Sequence, residues 1–121
     1  MTLTNTLFTQ LISDIKDDLE DLFTYGAVGS DNTAPSANDT ALGSEDFRDS
    51  IDNFDKSAAS SITASLRILT TENNGNDIKE FGWFDAAAAG NLWSRNIMTA
   101  ISKTSDIQVF LDTTIAISVS E

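Results

Sequence analysis

Two groups of side chains in this 121-residue chain have the type and spacing that chemistry could use. Glu80 and Asp85 bracket Phe81, Gly82, Trp83 and Phe84. Paired carboxylates beside aromatic residues suit glycoside hydrolysis, in which one acid protonates the leaving oxygen and the other acts as base or nucleophile. Asp49, Asp52 and Asp55 recur at every third position, a spacing that could gather oxygen ligands for a hard cation. Both groups also have a plainer reading. The aspartates lack the alternating Asp-x-Asp-x-Asp-Gly order of a calcium loop, and on a strand Asp49 and Asp52 would face opposite sides, so a solvated acidic face is expected. Trp83, Phe84 and Trp93 are read first as core aromatics and second as a sugar-stacking shelf.

Composition removes most other chemistry. There is no cysteine, which excludes disulfides, thiolate catalysis and sulfur-ligated zinc, and no histidine, which removes the usual general base and imidazole ligands. Neither G-x-x-x-x-G-K-[ST] nor G-x-G-x-x-G occurs, so no nucleotide cradle is encoded. The expectation is a chain without catalytic, cofactor or metal sites. Nineteen acidic residues against seven basic ones give a formal charge of −12, a field that repels a phosphate backbone; nucleic acid is not an expected partner. Aspartate-rich, lysine-poor surfaces suit solvation at high salt, so a halophilic source is expected, with an acidic protein of an ordinary host as the alternative. No apolar run is long enough to cross a bilayer, and the first residues lack the basic and apolar regions of a secretory signal. A soluble, mature sequence with no membrane partner is the expectation.

The elements that must position these residues follow from periodicity. Leu7, Leu11, Ile12, Ile15, Leu19 and Leu22 recur at intervals of three and four, predicting an amphipathic helix over 4–23 with Thr4 or Asn5 as its cap. Like-charge pairs Asp14/Asp18 and Asp17/Asp21 weaken it in isolation, so it must pack on the domain or on a neighbour. Residues 24–121 read as β-rich. A short strand at Phe23, Tyr25, Ala27 and Gly29 leads to an exposed loop, 30–46, holding the sole proline. Further strands are predicted over 47–54, over the alternating Ile62, Ala64, Leu66 and Ile68, over 78–84 and over 91–98. The Asn-Gly in TENNGND predicts a hairpin joining the Ile62 strand to the 78–84 strand. The alternation of Ile107, Val109, Leu111, Ile115, Ile117 and Val119 predicts a long final strand. With no βαβ alternation, the fold class is mostly β: one domain, 1–121, an antiparallel β-sandwich or sheet with one N-terminal amphipathic helix.

The order Y-G-A-V-G-S-D-N-T-A-P-S-A-N-D-T-A-L (25–42), then N-G-N-D-I-K-E-F-G-W-F-D-A, N-L-W-S-R-N and K-T-S-D-I-Q-V, resembles small structural proteins of tailed viruses. It is similar to the head-proximal modules of tail-collar fibres and related virion proteins of phages and haloarchaeal tailed viruses. The similarity covers roughly 25–119, through short structural motifs with no catalytic signature. It implies a non-enzymatic protein of the virion, made in the host cytoplasm, that assembles with itself as a homo-oligomer and with other virion proteins. Its place could be tail, fibre, baseplate, turret or capsid decoration; collagen-like repeats and a long shaft are lacking. Interface roles are expected for Leu11, Ile15 and Leu19 on the helix and for Glu80, Trp83, Trp93 and Arg95 on the hairpin, with Glu80 and Arg95 as a cross-strand or intersubunit ion pair. The alternative function is a carbohydrate-binding or host-adhesion module, with host surface glycans as partner and Trp83, Trp93 or the 30–46 loop as its site.

Overall fold

The structure, a computed structural model, describes residues 1–120. One helix, α1 (Asn5–Leu22), precedes seven strands: β1 (Tyr25–Gly29), β2 (Glu45–Ser50), β3 (Asn53–Asp55), β4 (Ser61–Ile68), β5 (Asp77–Phe84), β6 (Leu92–Ser102) and β7 (Val109–Ala116). They form two antiparallel sheets, one in the order β2-β1-β5-β6 and one in the order β3-β4-β7. This is the mostly β, sandwich-like architecture with an N-terminal helix that the periodicities predict.

Alternation decides which side chains meet between the sheets. Ile62, Ala64, Leu66 and Ile68 of β4 are buried while Thr63, Ser65 and Arg67 are not, and β7 buries Val109 and Leu111 on the same side. Against them lie Val28, Ile78 and Trp83 of the other sheet, with Phe23. Trp83 anchors this core: it is 1% exposed, stacks on Phe23 with centroids 6.4 Å apart, and donates its Nε1–H to Thr113 Oγ1 across the sandwich at 2.8 Å. Gly26 faces it in register; a Cβ there would sit 3.0 Å from the indole and 2.9 Å from Leu66, so the absence of a side chain lets the two sheets close.

α1 is attached differently. Thr4, in an extended conformation, accepts the Leu7 N–H in its hydroxyl and starts the helix. Phe23 ends it by donating its N–H to Leu19 O, and Leu19 and Leu22 then rest on the core. No residue of the helix is buried. Midway, Lys16 Nζ donates to the carbonyls of Lys56 and Ala58, and Lys56 returns ion pairs to Asp17 and Glu20 at 3.1 and 2.9 Å.

Two expectations need correction. The 47–54 segment is two strands rather than one: β2 belongs to the first sheet and β3 to the second, and between them Ile51 N–H bonds Thr24 O while Asp52 N–H bonds Ser65 O. The chain changes sheets here because Phe47, Ile51 and Phe54 all reach the core, which a single flat strand could not arrange. Nor do β4 and β5 form a hairpin. They lie in opposite sheets because each carries an inward apolar face, and such faces must oppose one another across the core. The TENNGND segment is a crossing loop with Asn73 and Gly75 in left-handed conformations (φ 54° and 88°), tied to the end of β6 by Gly75 N–H to Lys103 O and Lys103 N–H to Asn76 O.

Candidate functional site

The singled-out carboxylate Glu80 lies on the outer face of the first sheet, and what surrounds it is a clasp. β5 turns Phe81 and Trp83 to the core, so Glu80, Gly82 and Phe84 face outward; β6 brings Arg95 opposite Gly82. Glu80 is fully buried, and both its oxygens are doubly occupied. Oε1 accepts the Arg95 Nε–H at 2.9 Å and the Gly43 N–H at 2.8 Å; Oε2 accepts the N–H groups of Ser44 at 2.8 Å and Asp31 at 3.0 Å. One side chain therefore pins both ends of the loop, which runs over 30–44 rather than the expected 30–46 because Glu45 and Asp46 open β2. Arg95, its side chain 4% exposed, reaches on to Thr33 O at 2.9 Å and to the carboxylate of Asp39 at 3.4 Å. Leu42, just before the second pinned end, packs the loop onto Ala27 and Phe84. A Cβ on Gly29 would collide with Ser44 O and with Glu80, so the strand must carry glycine where the loop closes over it.

The electrostatics fit a structural role. Burial pushes the Glu80 carboxyl up, but the Arg95 guanidinium and the N–H groups of Gly43, Ser44 and Asp31 outweigh it and hold the group below its ordinary value of 4.5. The hydrogen bond to Glu80, against the opposing effect of burial, raises the Arg95 guanidinium. Asp31 is lowered by the backbone and hydroxyl of Thr33 and by Arg95 nearby. An ionised carboxylate with every acceptor position filled has no proton to give and no lone pair free to take one.

Asp85, the second of the pair, closes the alanine turn. Its carboxylate accepts Asn91 N–H at 2.8 Å and Asn91 Nδ2–H at 2.9 Å, which lower it from its ordinary value. Ala89 and Gly90 are left-handed there (φ 53° and 75°). Arg48 lies over the Phe84 ring, 3.6 Å from its centroid, and donates to Ala86 O and Ala89 O, holding the turn against the sheet. The Asp49, Asp52 and Asp55 series is likewise spent locally, on the N–H groups of Ser50, Arg67 and Ser57 respectively. Among the described residues no cluster of three or more potential ligands could hold a metal ion, and no helix is long and apolar enough to cross a membrane.

The other expected interface residues separate into three places. Trp83 lies inside the protomer, on the core face, so neither a shelf for sugars nor contact with a second copy is open to it. Glu80 and Arg95 form the cross-strand pair, within one chain. Trp93 is 41% exposed beside a hollow of about 110 Å³ lined by Ser36, Ala37, Asp39 and residues 92–95. Leu11 and Ile15 are exposed on α1, together with Leu7, whereas Leu19 packs on the core. Sequence reasoning did not find the loop ends 31, 43 and 44 as partners of Glu80, nor Lys103, which is 1% exposed with Nζ on Asn74 Oδ1 and Thr104 O. The loop ends left a faint signal in the small residues at 29, 30, 43 and 44, which can bring backbone close to a buried acceptor. Lys103 left none. A comparison with protein-family models gives no match, and neither does a comparison with curated proteins.

Proposed function

We propose that this chain is a non-enzymatic structural protein of a tailed-virus particle, in its tail, fibre, baseplate, turret or capsid decoration, which assembles as a homo-oligomer. The observation that carries the assembly is α1, an 18-residue helix with no buried residue and with Leu7, Leu11 and Ile15 exposed over successive turns. A single protomer leaves that stripe in water, and apolar surface of this kind is used by a neighbour. The virion setting rests on the resemblance of segments 25–42 and 74–109 to small virion proteins. The consumption of Glu80 and Asp85 in internal hydrogen bonds supports a role without catalysis. The acidic surface fits a particle exposed to high salt, and melting measured from dilute to molar salt should then rise with salt.

Multi-angle light scattering on the purified chain tests the assembly: a discrete oligomer is expected, and a monomer at every concentration and salt overturns it. Antibodies to the chain should label purified tailed particles from the source culture; particles that carry no label overturn the virion setting.

The hollow beside Trp93 favours a second reading, a host-adhesion module in which the exposed indole stacks on a sugar. A glycan array should then show hits that Trp93→Ala abolishes. An array without hits removes this reading.

A further inference from the structure

The sandwich has four sheet edges, and they are not alike. β2, at one edge, carries Glu45, Asp46 and Asp49. β3 is three residues long and ends in Asp55. β7 carries Asp112 at its centre. These are the devices by which edges refuse a second strand: charge and brevity. β6 has neither. It is the longest strand, 11 residues, and contains no carboxylate, no lysine and no proline. Its one charge, Arg95, lies on the outer face beneath the loop that follows β1 and is neutralised by Glu80. Trp93 and Ile97, on either side of Arg95 along the strand, are 41% and 43% exposed. β6 pairs with β5 alone, and among the described residues no backbone hydrogen bond joins its other edge to the rest of the chain.

Charge says what pairs there. The longest stretch of the sequence without an aspartate or glutamate is 86–105, and it contains the whole of β6. In a chain of net charge −12, this is the edge at which two copies can approach without setting carboxylate against carboxylate.

We infer that a second copy of this chain adds to the first through β6, edge to edge and antiparallel about a two-fold axis, so that one sheet runs through both protomers. This deepens the assembly reading above and rests on it: beside the contact expected of α1, it names a seam at β6. The backbone of an antiparallel edge is self-complementary, so the same strand serves both copies. Trp93 and Ile97 of each copy then lie along the seam on the outer face. Pairing tightens as salt rises, because the remaining charges of the two copies repel through solvent.

The test is sedimentation velocity with light scattering on wild type, Ile97→Lys, Thr99→Lys and Leu11→Glu, with amide exchange of β6 read in parallel. Wild type should form a dimer, or a higher even oligomer, whose outward β6 amides are protected. Ile97→Lys should raise the dissociation constant by about 10-fold or more, by setting a lysine of each copy along the joined strands, without changing the melting of the monomer. Thr99→Lys, at an exposed position of the same strand, serves if Ile97→Lys fails to fold. If both lysine variants assemble as wild type does while Leu11→Glu dissociates the oligomer, the seam is α1, and this inference falls with the assembly reading intact. A wild-type monomer at all salts and concentrations overturns both.

Discussion

The clasp around Glu80 and the helix α1 were both marked by sequence as surfaces for a partner, and the fold uses them in opposite ways. At the clasp, a buried carboxylate is met by three backbone N–H donors and a buried guanidinium, and a loop whose Ser30 and Ser44 hydroxyls meet, 14 residues apart, is drawn closed over the sheet. Along α1, an amphipathic stripe that could have been buried is left half in water, and only its last turn touches the core. Polar residues with the look of a reactive site have become internal fastenings. Plain leucines and isoleucines are what the fold leaves outside.

The sharpest way to break this contrast is Glu80→Gln. The amide cannot accept four hydrogen bonds, points a donor at backbone donors, and strands Arg95 without its counter-charge. Removing one partner of a buried pair costs about 3–5 kcal/mol, seen as a lower urea midpoint together with faster exchange of the Asp31, Gly43 and Ser44 amides. Lost stability with unchanged exchange at those three amides would mean that Glu80 does not hold the loop.

The same pair makes acid the natural perturbant. The folded-state Glu80 carboxyl lies below its ordinary value, so its contribution is complete above that value, shrinks as pH falls toward the folded one, and vanishes once both states are protonated. Asp31 and Asp85, lowered as well, act in the same direction. Wild type should therefore lose stability on acidification below about pH 5, the upper end of the range where carboxylates begin to protonate. Glu80→Gln should show a shallower slope over that range, and equal slopes in the two proteins would deny the group its low folded value.

Lys103 offers a second buried charge-bearing side chain with which to sharpen the point. Its Nζ meets carbonyl oxygens at 2.8 and 2.9 Å and has no salt bridge among the described residues. Lys103→Met leaves no carboxylate stranded, and Asn74, being exposed, can turn to water, so the loss should be about 1 kcal/mol, the net worth of an ordinary hydrogen bond. An effect as large as that of Glu80→Gln would show that burial of the chain, rather than pairing of charge, decides both sites.

How much of this was legible beforehand follows from the range of the signals. The helix, β4, β5 and β7 are written in local periodicity, which a linear reading detects, and the helix bounds differ by one residue at each end from those expected. Pairing is not local. The Asn-Gly of TENNGND promises a hairpin only if both flanking strands share a sheet, and that is decided by which apolar faces oppose across the core. The clasp was half legible: Glu80 and Arg95 announce an ion pair, but their loop partners contribute backbone N–H groups, which every residue but proline has and which no side-chain pattern marks. Trp83 and Trp93 show the same limit, since two tryptophans of similar setting in sequence end one in the core and one at the surface.

The smallest expected effect lies within α1 itself. Leu11 and Leu19 occupy equivalent places in the helical pattern, two turns apart, yet Leu11 is exposed and Leu19 rests on the core. Leu19→Ser should cost about 1–2 kcal/mol, as partial burial of a leucine side chain implies, whereas Leu11→Ser should leave monomer stability within about 0.5 kcal/mol of wild type. Equal losses measured by urea unfolding of the monomer would mean that the stripe is already covered within one chain. The predicted split instead makes the helix two pieces, a last turn that belongs to the core and earlier turns whose apolar face is stabilised only when another molecule covers it.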